Sequence, residues 1–126
     1  MPVVSSAASA KHILVIEDDA AIRETLAEIL EFEGYRVTVA ANGREGLQRS
    51  REARPAVILL DLMMPVMNGY EFRAEQKASA DLASIPIIMI SADGNLTQKA
   101  AAIDTPHFLK KPIELDVLLE TIKKFV

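Results

Sequence analysis

The sequence predicts an α/β fold in which helices cover both faces of a parallel sheet, and three observations carry that prediction. Short apolar runs alternate five times with helix-length segments along the 126 residues. Most of the runs are apolar throughout rather than at every second position, the pattern of strands buried on both faces. The connections are short, and right-handed crossovers of that kind make the sheet doubly wound.

Taken in order, Met1 to Ala10 is rich in Ser and Ala and reads as a flexible leader. The first strand is expected from about His12 to Ile16. A helix follows from Ala20 to Glu33, with Ile22, Leu26, Ile29 and Leu30 on one face and Gly34 as its stop. The second strand, Arg36 to Ala40, alternates less cleanly and reads as the sheet edge. Asn42 and Glu45 have capping-box spacing and open a second helix that ends before Pro55.

Ala56 to Leu60 is the most apolar run, and it delivers one carboxylate, Asp61, to its end. A turn with Pro65, Asn68 and Gly69 leads to a third helix from about Tyr70 to Ala78. The fourth strand is Ile85 to Ile90, ending in Ser91. Asn95 and Gln98 repeat the capping-box spacing for a helix over about Leu96 to Ile103. His107 to Lys110 is the last strand, and Glu114 to Phe125 the last helix, with Leu115, Leu118, Leu119 and Ile122 inward.

In open α/β sheets, ligand sites lie at the carboxyl ends of the strands. Three such ends carry charge here: Glu17, Asp18 and Asp19 after the first strand, Asp61 after the third, and Lys110 and Lys111 before Pro112. If those strands are neighbours, several carboxylates and a lysine converge, which suits a divalent cation with a fixed cation beside it. Asp61 is poorly placed as a helix cap, because Leu62 to Met64 are apolar and no helix begins for several positions.

These residues resemble the receiver domain of two-component response regulators: the acidic pair Glu17 and Asp18, Asp61 in DLMMPVMNG, Ser91 in IIMISA, and Lys111 in FLKKP. The matches occur in the family's order and span His12 to Val126, so residues 11–126 are expected to be one receiver domain. The resemblance implies a flavodoxin-like sheet of order 2-1-3-4-5 with five helices. It also implies that Asp61 is the nucleophile, taking a phosphoryl group from a phosphohistidine or a small phosphodonor. Asp18 is then a direct Mg²⁺ ligand with Asp61 and the backbone carbonyl of Met63, and Glu17 acts through a bound water. Lys111 contacts Asp61 and a phosphoryl oxygen and precedes a cis bond to Pro112, while Lys110 points to the other face. Ser91 bonds the phosphoryl group after transfer, and Phe108 shifts inward as that hydroxyl moves, a two-state switch biased by phosphorylation.

The implied partners are a sensor histidine kinase or histidine phosphotransfer protein and a downstream protein target. The surface of the last strand and its flanking helices serves that contact or a phosphorylation-dependent dimer. The chain departs from the family between Ser91 and Phe108, which is short. There IDTPHF replaces a small Gly-Ala pair, and Pro106 is expected to end the fourth helix early. Asp19 reads as solvated, His12 and His107 as structural, and Met63, Met64 and Met67 as filler.

Other function classes are weighed against the same residues. A net charge of −4 and no Lys/Arg-rich stripe argue against a nucleic-acid surface. Without cysteine there is no disulfide framework or thiol chemistry, which fits a reducing compartment. No basic start precedes an apolar core, and no run nears the ~20 residues that cross a bilayer, so a cytoplasmic protein is expected. A leader starting at Met1 reads as the beginning of a complete protein. An aspartate-nucleophile phosphatase of the haloacid dehalogenase kind needs a second Asp two positions after the nucleophile, where this chain has Met63. The expectation is therefore no enzyme beyond transfer to its own Asp61 and autodephosphorylation. The alternatives are a phosphate sink or an interaction module independent of phosphorylation.

Overall fold

The computed structural model describes residues 11–126, so the leader expected over residues 1–10 lies outside the described residues. Five strands form one parallel sheet in the order β2-β1-β3-β4-β5. They are β1 (His12–Ile16), β2 (Arg36–Ala40), β3 (Val57–Asp61), β4 (Ile87–Ser91) and β5 (Phe108–Lys110). Five helices connect and flank them: α1 (Ala20–Phe32), α2 (Gly43–Glu52), α3 (Gly69–Ala78), α4 (Leu96–Ala102) and α5 (Leu115–Lys123). This is the flavodoxin-like order.

β1, β3 and β4 are buried at every position, which is why their sequences show no alternation. Successive side chains enter two different cores. Leu14, Leu60 and Met89 pack with Phe72 of α3 on one face, while Val15, Leu59 and Ile90 pack with Leu30 of α1 and Ile122 of α5 on the other. Among the described residues β2 pairs with β1 alone, and it is partly exposed, as its mixed composition indicates.

Helix ends follow local chemistry closely. Asp19 is not merely solvated: its carboxylate accepts from the Ile22 amide at 3.0 Å and caps α1. Gly34, at φ +95°, ends that helix, with the Tyr35 amide bonded back to the Leu30 carbonyl. Asn42 caps α2 through the Glu45 amide, but the Glu45 carboxylate accepts from Ala41, one residue earlier than a standard box. α3 starts at Gly69 and carries a complete capping box, Asn68 with Glu71. That spacing is legible in the sequence, and the turn reading of Asn68 concealed it.

The expected cap at Asn95 does not form. Asn95 is left-handed, with φ +59°, and its side chain makes no capping bond. A cap of that kind needs an extended backbone to aim the side chain at the following amides. α4 ends at Ala102, well before Pro106, so the turn at Ile103 and Asp104 stops it rather than the proline. β4 begins at Ile87 rather than Ile85, because Pro86 has no N–H to enter the ladder. His107 lies just outside β5, although its carbonyl still accepts from Met89.

His12 and His107 do structural work, as expected. The His12 ring bonds the Thr38 hydroxyl at 2.7 Å across β1 and β2. Burial, and then the nearby Arg36 charge, hold it below the usual histidine range. His107 packs edge-on against Phe125.

Candidate phosphoacceptor and metal site

The sheet order makes β3 the neighbour of both β1 and β4, so the carboxyl ends of these strands meet in a cleft of about 300 Å³. Glu17, Asp18, Asp61, Met63, Ser91 and Lys111 all line it. Glu17, Asp18 and Asp61 each present a carboxylate oxygen within 4.8 Å of the others.

Each side chain is placed by its element. Glu17 directly follows β1 and is fully buried, while Asp18 is exposed. Arg23, in the first turns of α1, donates to the Glu17 and Asp18 carbonyls at 2.9 and 3.3 Å and fixes that corner. Sequence reasoning passed over Arg23, because nothing separates it from a solvent arginine until α1 folds back. Lys111 directly follows β5, its amide bonded to the Ser91 carbonyl at 2.9 Å. The bond from Lys111 to Pro112 is cis.

The loop carrying Asp61 to α3 is held by two glycine amides. Gly43, at the start of α2, donates to the Met67 carbonyl at 2.8 Å, and Gly69 donates to the Leu62 carbonyl at 2.9 Å. A Cβ on Gly69 would lie 2.5 Å from the Asp61 carbonyl oxygen and 2.8 Å from the Leu62 Cα, both rigid backbone. Gly69→Ala is therefore expected to destabilise the fold by about 1–3 kcal/mol, the usual cost of overpacking. Because the displaced atoms belong to Asp61 and its neighbour, chemistry at Asp61 should slow as well. Urea denaturation and the rate of mass gain with a phosphodonor measure the two effects.

Electrostatics single out Asp61. It is buried at the end of β3, and its pKa rises from 3.8 to about 7. Burial is the main cause and the Glu17 charge adds to it, while the Lys111 ammonium pulls the other way. Lys111 Nζ lies 3.5 Å from Asp61 but only 2.8 Å from Glu17, so in this state its closer partner is Glu17. Burial pulls the Lys111 ammonium down, but the contacts with Glu17 and Asp61 outweigh it and the net shift is upward.

The donor set fits a divalent cation. Three carboxylates face one ammonium, two of them buried. Among the described residues the buried Glu17 Oε1 touches Lys111 only as an ion pair, and no well-formed hydrogen bond reaches it. Such a site has oxygen donors and negative charge to spare. The Met63 side chain is exposed at the rim, leaving its backbone as what the site could use.

The remaining predicted residues flank this centre. Ser91 is buried, and its hydroxyl accepts from the Asp93 amide at 3.3 Å. Asp93 also lines the cleft, and sequence reasoning did not single it out. Phe108 stands opposite Met89 in register and is half-buried at the edge of the core. Lys110 is exposed, away from the cleft lining, as expected.

A family model, the response regulator receiver domain, matches residues 13–123. The chain belongs to the response regulator receiver family. It is 35% identical over 114 residues to the response regulator MprA of Mycolicibacterium vanbaalenii, a match covering 89% of this chain and 48% of the relative. The chain thus spans about half the length of such curated relatives. Among solved receiver folds, chemotaxis protein CheY4 of Vibrio cholerae superposes with a TM-score of 0.83 at 32% identity, covering 91% of this chain and 98% of that one. The receiver domain of the sensor histidine kinase PA1611 from Pseudomonas aeruginosa superposes with a TM-score of 0.84 at 25% identity, covering 92% and 97%. That receiver was solved with a magnesium ion in its active-site cleft. This chain is accordingly a receiver domain of the two-component type, and no helix among its described residues is long and apolar enough to cross a membrane.

Proposed function

We propose that this receiver takes a phosphoryl group onto Asp61 from a phosphohistidine and thereby changes the surface it offers to a protein partner. One observation carries the proposal. Asp61 stands buried at the end of the central strand with two further carboxylates within 4.8 Å and the Lys111 ammonium 3.5 Å away. A carboxylate oxygen of Asp61 attacks phosphorus, the bond from phosphorus to the donor imidazole breaks, and the imidazole leaves.

Glu17, Asp18, Asp61 and the Met63 carbonyl would hold Mg²⁺, which when bound neutralises the clustered carboxylates and the incoming phosphoryl oxygens. Lys111 supplies a fixed positive charge beside Asp61, and its contact with Glu17 keeps that charge in place before a phosphoryl group arrives. The Ser91 hydroxyl, at the end of the adjacent strand, bonds the transferred group, and Phe108 on β5 moves inward with it. The chain acts on its own Asp61 and loses the group by hydrolysis, with no separate substrate turned over. Its donor is a sensor histidine kinase or phosphotransfer protein, its reader a downstream protein, and its compartment the cytoplasm.

Intact mass after incubation with acetyl phosphate tests the reading, with and without Mg²⁺ and with Asp61→Ala alongside. The expected result is a metal-dependent gain of one phosphoryl group that the variant lacks. A folded chain that gains nothing from acetyl phosphate or from a phosphohistidine donor would overturn it.

A further inference from the structure

The turn from Ile103 to His107, between α4 and β5, is held by side chains of α3 and by its own Thr105. Arg73 Nε donates to the Ile103 carbonyl at 2.7 Å, and its Nη2 donates to the Asp104 carbonyl at 2.9 Å. Its third arm donates to the Gln76 side-chain oxygen at 2.7 Å. Gln76 is fully buried and donates in turn to the carbonyls of Leu82 and Ile85. Lys77 pairs with the Asp104 carboxylate at 3.0 Å. Below them the buried Thr105 hydroxyl donates to the Ile87 carbonyl at 2.7 Å and accepts from the His107 amide.

The other end of α4 is attached differently. Asn95 provides no side-chain cap, and Ala92 to Asn95 are exposed. One exposed ion pair, Lys99 with Asp93 at 3.2 Å, links the helix to the loop that follows Ser91. Exposed pairs of that kind hold weakly, whereas a guanidinium bonded to carbonyls through a planar fork holds strongly. The helix is thus tied at one end by the part-buried network of Arg73 and Gln76, and at the other by a solvated contact and the packing of the half-buried Leu96.

We propose that α4 is hinged at its C-terminal end: Arg73 and Gln76 hold the turn at Ile103 to Thr105 fixed, and the helix opens from the end nearest Ser91. That opening order belongs to the unmodified chain.

Amide hydrogen exchange on the unmodified chain tests the hinge independently of phosphoryl uptake. The informative pair is Lys99, bonded to the Asn95 carbonyl, and Thr105, bonded to the Ala100 carbonyl, each at 3.0 Å. Thr105 is expected to be at least about tenfold more protected than Lys99. Arg73→Met should remove that difference while Met89 in β4 keeps its protection, reporting that the sheet is intact. Arg73→Lys keeps the charge without the fork and should fall between the two. Equal protection at Lys99 and Thr105 in the native chain would overturn the hinge, as would undiminished protection of Thr105 in a folded Arg73→Met.

Discussion

Asp61→Asn is expected to abolish phosphoryl uptake and, with divalent ions chelated, to make the protein about 2 kcal/mol more stable at pH 8. The first effect follows from the loss of the nucleophilic oxygen. The second follows from linkage. In the unfolded chain Asp61 loses its proton near 3.8, but in the folded chain near 7, because burial and the Glu17 charge oppose ionisation more than Lys111 favours it. Between those values the folded state binds more protons than the unfolded state, so stability falls as pH rises through the window from about 4 to about 7. Full burial would make the penalty about 4 kcal/mol, and screening by water in the open cleft brings it to about 2. Asparagine carries no charge, so this part of the pH dependence vanishes. Urea denaturation of both proteins at pH 4.5 and pH 8 measures it. The gap should be large at pH 8 and near zero at pH 4.5, and Mg²⁺ should narrow it by stabilising the native chain more than the variant. An asparagine variant less stable than the native chain at pH 8 would show that Lys111 outweighs burial at this site.

Phe72→Ala is expected to cost about 3–5 kcal/mol, a large share of the ~5–15 kcal/mol that stabilises a domain. Phe72 is fully buried in the first turn of α3, packed in the core that lies over Leu60 and Leu62. It also meets α2, where a Cβ on Gly46 would come within 3.2 Å of the phenyl ring. One ring therefore joins two helices to the strand that carries Asp61. Neither helix can follow it inward to refill the space, since Gly43 and Gly69 tie their starts to the Met67 and Leu62 carbonyls. Phe32 is the natural control. At 89% exposed it contributes little, and Phe32→Ala should change stability by less than about 0.5 kcal/mol. Urea midpoints of the two variants decide the matter, and a loss below about 1 kcal/mol at Phe72 would mean that the core collapses around the cavity.

The charged strand ends were legible because each is written within a few residues. An apolar run followed by Glu17 and Asp18, by Asp61, or by Lys111 before Pro112 needs only the strand order to bring the groups together, and the order followed from the family. Local signals gave uneven guidance. Asn42 and Asn95 stand at the same spacing from an acidic or amide partner, yet only Asn42 has the extended backbone that capping requires. Asn68 with Glu71 forms the complete box that the sequence offered equally plainly.

By itself, then, the sequence determined the alternation of strand and helix, the two-faced core and the identity of the acidic cluster, because these depend on side-chain polarity at short range. Only the tertiary structure decided that Lys111 sits closer to Glu17 than to Asp61, that Arg23 secures the acidic corner, and that Arg73 and Gln76 fasten the end of α4. Arg73 and the Ile103 carbonyl are 30 residues apart, and polar atoms at that distance find each other only after the sheet has brought their elements together. Polarity along a chain states which residues must be buried or charged, and the geometry of the packed elements selects which donor meets which acceptor.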